Sequence, residues 1–77
     1  MEKSLKEKIK ELRIEHKFTE EYVAKYLGTT QAVVWKYESG KTEKIPMDVV
    51  KKLCLLYNVS ADYLLGLPKG LHYPETQ

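Results

Sequence analysis

The chain has 77 residues, of which 43% are hydrophobic and 31% charged, and its 13 basic and 11 acidic side chains give a formal net charge of +2. This length allows one domain with one small core, and the charge is weaker than that of a strongly basic, nonspecific nucleic-acid binder. A single cysteine excludes an internal disulfide and a multi-cysteine zinc site. The sequence lacks both a membrane-length apolar run and a secretory signal, so we expect a cytoplasmic protein.

The first helix is predicted from about Leu5 to His16. Ser4 and Glu7 have the spacing of a capping box at its start. Its inward face follows from apolar residues that recur at helical spacing, namely Leu5, Ile9 and Leu12. Its lysines are expected mostly on the solvent side: Lys3, Lys6, Lys8 and Lys10.

A short second helix is predicted behind Thr19, which can act as its N-cap. Glu20 and Glu21 would lie in its first turn, where negative charge is favoured by the helix dipole. The helix should end at Leu27, because Gly28 can adopt the left-handed conformation that terminates a helix.

A third helix is predicted from Gln31 to about Ser39, with Thr30 as its N-cap and Gly40 as its terminator. Two helices joined by a turn of three to four residues that contains glycine form a helix-turn-helix motif. In this motif the second helix enters the major groove of DNA.

The two central helices have distinct inner and outer faces. Ala24 lies where they are expected to cross, and its small side chain permits close approach of the backbones. The inward positions are Val23, Leu27, Val34 and Tyr37. The outward positions of the third helix are Gln31, Ala32, Trp35 and Lys36.

Two further helices are predicted after a polar loop. Pro46 suits the first turn of the fourth helix, Asn58 can end it, and Ser60 can cap a short fifth helix that ends at Gly66. The remaining segment has no helical periodicity. We therefore expect an all-α domain of five helices over residues 1–67, followed by a C-terminal tail over residues 68–77.

The order of these motifs resembles the Cro and phage-repressor type of helix-turn-helix domain, the XRE family. The resemblance covers roughly residues 5–67 and is carried by Ala24, Gly28 to Gln31, Val34, Lys36 to Gly40, Ile45 to Asp48, and Asn58 to Gly66. It implies a lambda-repressor-like fold and a sequence-specific DNA-binding transcriptional regulator, in the first place a repressor.

Base reading is expected from the outer face of the third helix. Gln31 and Ala32 come first at its N-terminal end, and Lys36 lies about one turn beyond them. A glutamine amide can pair with adenine, a lysine can donate to guanine, and an alanine methyl can pack on the thymine methyl. The alternative is a solvated helix face. Trp35, where the family more often has a small polar residue, is predicted with these three as a base-contacting position. Its indole could also contact the DNA backbone, anchor a protein partner or pack over the following loop.

Phosphate contacts are expected from the residues that flank this face: Thr19, Glu20, Thr30, Ser39, Lys41 and Lys44. Family members often have a glutamine where this chain has Glu20. A carboxylate there repels phosphate or turns aside, so this contact is the weakest of the set.

The resemblance also implies a structural pair, Arg13 and Glu38, that bridges the first and third helices, with Ala24 and Gly28 as structural positions in the motif. Enzyme motifs are lacking: there is no glycine-rich phosphate loop and no Ser/His/Asp set. Neither His16 nor His72 has a second ligand nearby in sequence that would indicate a metal site. We therefore expect no cofactor, no bound metal and no catalysis.

Family members usually act as homodimers, because one recognition helix makes a small interface. Apolar residues near the C-terminus are the predicted dimer contact: Tyr63, Leu64, Leu67, Leu71 and Tyr73. The alternative is that they fold back over the core. The rival function is a protein-interaction module of the same fold, an antitoxin or a transcription-factor adaptor, which Glu20, Trp35 and the modest net charge favour.

Overall fold

A computed structural model describes residues 3–42 and 44–68, and five α-helices lie within them. They are α1 (Leu5–Glu15), α2 (Glu20–Leu27), α3 (Gln31–Ser39), α4 (Met47–Tyr57) and α5 (Ala61–Leu65). The described residues form no strand, and the predicted all-α, five-helix fold is confirmed. None of these helices is long and apolar enough to cross a membrane.

The helix boundaries follow from local hydrogen bonding. Four helices begin at a hydroxyl that accepts a backbone N–H: Ser4 from Glu7, Thr19 from Tyr22, Thr30 from Val33 and Ser60 from Tyr63. The fourth helix begins one residue later than its first-turn proline predicts, because Pro46 occupies the N-cap position itself and offers no side-chain hydrogen bond. The ends of α2 to α5 carry left-handed residues, as predicted: Gly28, Gly40, Asn58 and Gly66.

All five helices contribute to one core. Its buried apolar residues are Ile9, Leu12, Val23, Ala24, Leu27, Val34, Val50, Leu53, Tyr57 and Leu64. Helix α3 packs on α1 and α2, whereas α5 packs on α1 and α4. Helices α1 and α2 thus support the inner side of α3, and α4 and α5 complete the core.

The sequence predicted Lys8 on the solvent side of α1. The structure buries it instead, and the residue is only 8% exposed. Its Nζ donates to the backbone carbonyl of Tyr63 at 2.7 Å and lies 4.9 Å from the centre of the Tyr63 ring. The ammonium group therefore satisfies a carbonyl in the last turn of α5 and adds a cation–π contact. The prediction failed because the lysine has a partner on another helix.

The prediction of Leu64 as a dimer contact is wrong, because this residue is 1% exposed and belongs to the core. Its neighbours Tyr63 and Leu67 are 48% and 45% exposed. The other two residues predicted for that contact, Leu71 and Tyr73, lie outside the described residues. The described part of the proposed dimer surface is therefore reduced to Tyr63 and Leu67.

Candidate functional site

The turn between α2 and α3 fixes how the two helices cross. Gly28 has a φ of 75°, a left-handed value that a side chain would strain. The N–H of Thr29 then donates to the carbonyl of Ala24 at 2.9 Å, which closes the end of α2. Ala24 is 3% exposed and belongs to the buried core. The small side chain and the tight turn together hold α3 against α2 in a helix-turn-helix arrangement.

Helix α3 turns one face to the core and the other to solvent. Val34 and Glu38 are buried on its inner side, and Tyr37 is half-buried against the core. The residues predicted to read bases are all exposed: Gln31, Ala32, Trp35 and Lys36. The Trp35 side chain is 46% exposed, a large apolar surface for a single helix position. This outer face thus carries an amide, a methyl, an indole and an ammonium group.

An ion pair ties α1 to the inner side of α3. Arg13 donates from Nε to Glu38 Oε2 at 2.8 Å and from Nη2 to Glu38 Oε1 at 3.1 Å. Its Nη1 also donates to the carbonyl of Phe18 at 3.0 Å, just before α2. A planar guanidinium is suited to such paired contacts. One side chain therefore fixes α3 relative to α1 and to the entry of α2.

The charges of this pair are partly removed from water. The hydrogen bonds with Glu38 raise the pKa of Arg13, so the guanidinium stays protonated. Burial raises the pKa of the Glu38 carboxyl, and the hydrogen bonds from Arg13 oppose that rise. The net direction for the pKa of Glu38 is a rise, so the hydrogen bonds from Arg13 at 2.8 and 3.1 Å offset only part of the cost of burying the carboxylate.

Glu20, predicted as a phosphate contact, lies against Gln31, a predicted base reader. Its Oε1 accepts a hydrogen bond from Gln31 Nε2 at 2.8 Å, and its Oε2 is 4.0 Å from Arg13 Nη2. An ionised carboxylate has no proton to donate to a phosphate. Sequence periodicity gives no sign of the contact with Gln31, because the two residues are separated by eleven positions and lie on different helices.

A polar cleft of about 570 Å³ opens beside this contact. Its walls come from α1, from the start of α2 and from the start of α3: Lys10, Arg13, Phe18, Thr19, Glu20, Glu21 and Gln31. Lys10 was not predicted as part of any site. Its position three residues before Arg13 on the same helix face was the available signal.

The remaining predicted phosphate contacts lie at the start of α2, at the two ends of α3 and in the segment that follows it. Thr19 and Thr30 are exposed N-caps whose hydroxyl oxygens accept backbone N–H groups, which leaves each hydroxyl hydrogen available to an acceptor. Lys41 and Lys44 are exposed just beyond α3, whereas the Ser39 hydroxyl contacts the carbonyl of Lys36 at 3.4 Å. Within the described ranges, no group of acidic, histidine or cysteine side chains has the arrangement of a metal site.

Known proteins are similar to this chain in sequence and in fold. A family model described as helix-turn-helix matches residues 9–64. The HTH-type transcriptional regulator YobD of Bacillus subtilis is 38% identical over 61 residues, which are 79% of this chain and 54% of that protein. A glutamine–fructose-6-phosphate aminotransferase of Methanocaldococcus jannaschii is 29% identical over 73 residues, which are 95% of this chain but 7% of that enzyme.

Among solved structures, the fold is similar to that of the P22 c2 repressor protein, crystallised in complex with synthetic operator 9T in the presence of Tl⁺. The TM-score is 0.73 at 23% identity, and the match covers 83% of this chain and 96% of the repressor chain. The chain spans about half the length of the regulator that it matches. The match over residues 9–64 confirms the resemblance drawn from the sequence, and the chain belongs to the helix-turn-helix family.

Proposed function

We propose that this chain binds double-stranded DNA in a sequence-specific manner and regulates transcription, as a repressor in the first place. The observation that carries the proposal is the outer face of α3, which exposes Gln31, Ala32, Trp35 and Lys36 while the inner side is fixed by the core and by Arg13. A helix held rigidly from behind with polar groups in front can enter a major groove without rearrangement. Its amide and ammonium groups match the hydrogen-bonding groups that bases present there.

The flanks of α3 support the same orientation. Thr19 and Thr30 bring a hydroxyl to the N-termini of α2 and α3, and Lys41 and Lys44 are exposed in the segment that follows α3. Hydroxyls, backbone amides and lysines at helix ends are the usual phosphate contacts of DNA-binding proteins. The proposed activity is binding alone, with no catalytic step and no cofactor.

The proposed binding unit is a homodimer. One recognition helix buries little surface, whereas two joined copies reach two successive major grooves about 34 Å apart. The exposed apolar side chains of Tyr63 and Leu67 at the end of α5 are the described part of the proposed contact. Exposed apolar side chains at a surface are suited to a symmetric contact with a second copy of the chain.

The function is tested by selecting bound duplexes from a random library and then titrating the selected duplex with salt. We expect one enriched sequence with two related half-sites. The logarithm of its binding constant should fall linearly with the logarithm of salt concentration, by about 0.9 per phosphate neutralised. Selection without enrichment, or binding that is insensitive to salt, would contradict the proposal.

A protein-interaction module is the second candidate, and the exposed indole of Trp35 is the observation that favours it. The same salt titration separates the two candidates, since contact with a protein through an indole lacks the steep salt dependence of phosphate binding. Trp35→Ala provides a second criterion. If the chain is a protein-interaction module, this substitution should abolish binding of the protein partner. If the chain binds DNA, recognition should retain the contribution of Gln31 and Lys36.

A further inference from the structure

The turn between α1 and α2 contains a lysine in a strained backbone conformation. The other helices end at left-handed residues of the types that tolerate this conformation, Gly28, Gly40, Asn58 and Gly66. After α1 the left-handed residue is Lys17, with a φ of 60°. In this conformation the Cβ of an ordinary residue lies too close to the following carbonyl oxygen. Lys17 therefore carries a strain that glycine or asparagine would relieve.

Backbone hydrogen bonds hold this turn in place. The N–H of Lys17 donates to the carbonyl of Ile14 at 3.0 Å, and the N–H of Phe18 donates to the carbonyl of Arg13 at 3.0 Å. These bonds satisfy carbonyls in the last turn of α1 and require no particular side chain at position 17. The turn accounts for the left-handed conformation, but it does not account for a lysine there.

The Lys17 side chain reaches into solvent. It is exposed, and the ion pairs within residues 3–42 and 44–68 do not include it. No ion pair of the described residues therefore offsets the strain. Strained residues of this kind cluster at ligand-binding sites, where the surrounding structure keeps them in place. The ammonium group is the part of Lys17 that a ligand would use.

The charges around Lys17 indicate what that ligand is. Thr19, the N-cap of α2 and a predicted phosphate contact, lies two residues further on. Glu20 and Glu21 follow it in the first turn of α2, where their negative charge opposes a phosphate. The positive charge of Arg13 is taken up by Glu38 at 2.8 Å. Lys17 thus brings an unpaired positive charge to the start of α2, at the place where a phosphate contact needs one.

We propose that Lys17 binds a DNA phosphate and is kept at a strained position for its charge, an inference that rests on the proposed binding of DNA. A lysine ammonium binds phosphate as a point charge, so the long exposed side chain needs no fixed geometry before it meets the DNA. The contact reads no base and should strengthen binding to selected and random duplex alike.

The proposal predicts that stability and DNA affinity change in opposite directions in Lys17→Gly. Relief of the strain should raise the urea midpoint and increase the folding equilibrium constant about fivefold. Affinity for selected and random duplex should fall by the same factor, about threefold or more at low salt, and the salt slope should fall by about 0.9 per bound copy. A residue that only ends α1 would change stability alone.

Two further substitutions separate the charge from the backbone. Lys17→Asn removes the charge but keeps a side chain that tolerates the left-handed conformation, so it should lose affinity as Lys17→Gly does, without the added flexibility of glycine. Lys17→Arg keeps the charge and the strain. It should retain the affinity, the salt slope and the stability of the parent.

The test uses the full chain and the duplex obtained by selection, with two matched controls. Asn58→Gly changes a left-handed residue with a φ of 56° at the end of α4, and Lys52→Gln removes an exposed lysine from the same helix. Both controls should leave the salt slope unchanged.

The inference is overturned if Lys17→Gly or Lys17→Asn keeps the affinity and salt slope of the parent, or if Lys17→Gly is no more stable than the parent. An equal loss of affinity in Lys52→Gln also overturns it, because the effect would then belong to net charge. A parent chain that enriches no duplex contradicts the proposed function itself, before any variant is compared.

Discussion

Tyr57 is a buried aromatic side chain whose ionisation should affect stability. Its ring is 3% exposed and lies 5.1 Å from the ring of His16 and 6.2 Å from that of Phe18. Burial, together with the negative charge of Glu38, raises the pKa of Tyr57 to about 12 from an ordinary value of 10.0. The phenol must therefore stay protonated in the folded protein over a range in which the unfolded chain ionises.

Stability should fall at high pH because of this group. A folded-state pKa above the unfolded value means that the contribution is fully present below about pH 10 and is lost as the pH rises towards 12. We expect the free energy of unfolding to fall by about 1.4 kcal/mol per pH unit in that window. Tyr57→Phe should remove this part of the slope in urea unfolding. An equal slope in the parent and in Tyr57→Phe would show that Tyr57 ionises freely.

Gln31 and Lys36 are the residues for which direct base reading is predicted. Each alanine substitution should weaken the selected duplex by about 1–3 kcal/mol and random duplex much less, because base contacts are specific and phosphate contacts are not. Lys52→Ala, at an exposed position on α4, is the control and should leave the ratio unchanged. Equal losses on selected and random DNA would identify the two residues as phosphate contacts.

At the scale of the helices, the sequence predicted most of the boundaries. Capping hydroxyls and terminating glycines act through neighbouring backbone groups, so their effect can be inferred without a tertiary structure. Ser4, Thr19, Thr30 and Ser60 show this at four helix starts. Fold and family followed from the order of these local signals.

Contacts between helices were harder to predict. Lys8 lies three residues after Leu5 and four before Leu12, so its inward position was visible in the spacing. A charged lysine is nevertheless ordinarily expected on the solvent side of a helix. The carbonyl that accepts its hydrogen bond belongs to a residue 55 positions away. The hydrogen bond from Gln31 to Glu20 likewise depends on how α2 and α3 cross. Such contacts require the packed structure.

The connection between α1 and α5 predicts a measurable cost for Lys8→Met. The variant keeps most of the apolar side chain but loses the 2.7 Å hydrogen bond to the carbonyl of Tyr63 and the cation–π contact. We expect a loss of about 1–2 kcal/mol in the free energy of unfolding, measured in urea. The control Lys10→Met, at an exposed position on the same helix, should stay within about 0.5 kcal/mol of the parent. Comparable losses for both variants would argue against this role.

For the whole molecule, assembly is the property that the proposed function depends on most. Leu67 is exposed, while its backbone N–H donates to the carbonyl of Asp62 at 3.0 Å and closes α5. A side-chain change there should leave the helix intact, unlike a truncation that removes the N–H. A substitution of Leu67 therefore tests assembly without disturbing the fold.

Leu67→Lys should weaken the proposed dimer at least about tenfold, since it places a charge in the proposed apolar contact, and DNA affinity should fall with it. Sedimentation at several concentrations measures the first effect and circular dichroism checks the fold. The matched control is Leu55→Lys, at a leucine on α4 that is 76% exposed and outside the proposed contact. If the parent is a dimer and Leu67→Lys sediments as it does, the contact lies elsewhere, and a monomeric parent contradicts the proposed dimer.

The outer face of α3 also has a consequence for how this protein could acquire a new target. The side chains of Ala32, Trp35 and Lys36 make no hydrogen bond to another described residue, so they can be exchanged with little effect on folding. Gln31 differs, because its replacement leaves the Glu20 carboxylate without its partner. On the proposed function, three reading positions can evolve independently, whereas the first is epistatic with a residue on another helix and must change together with it.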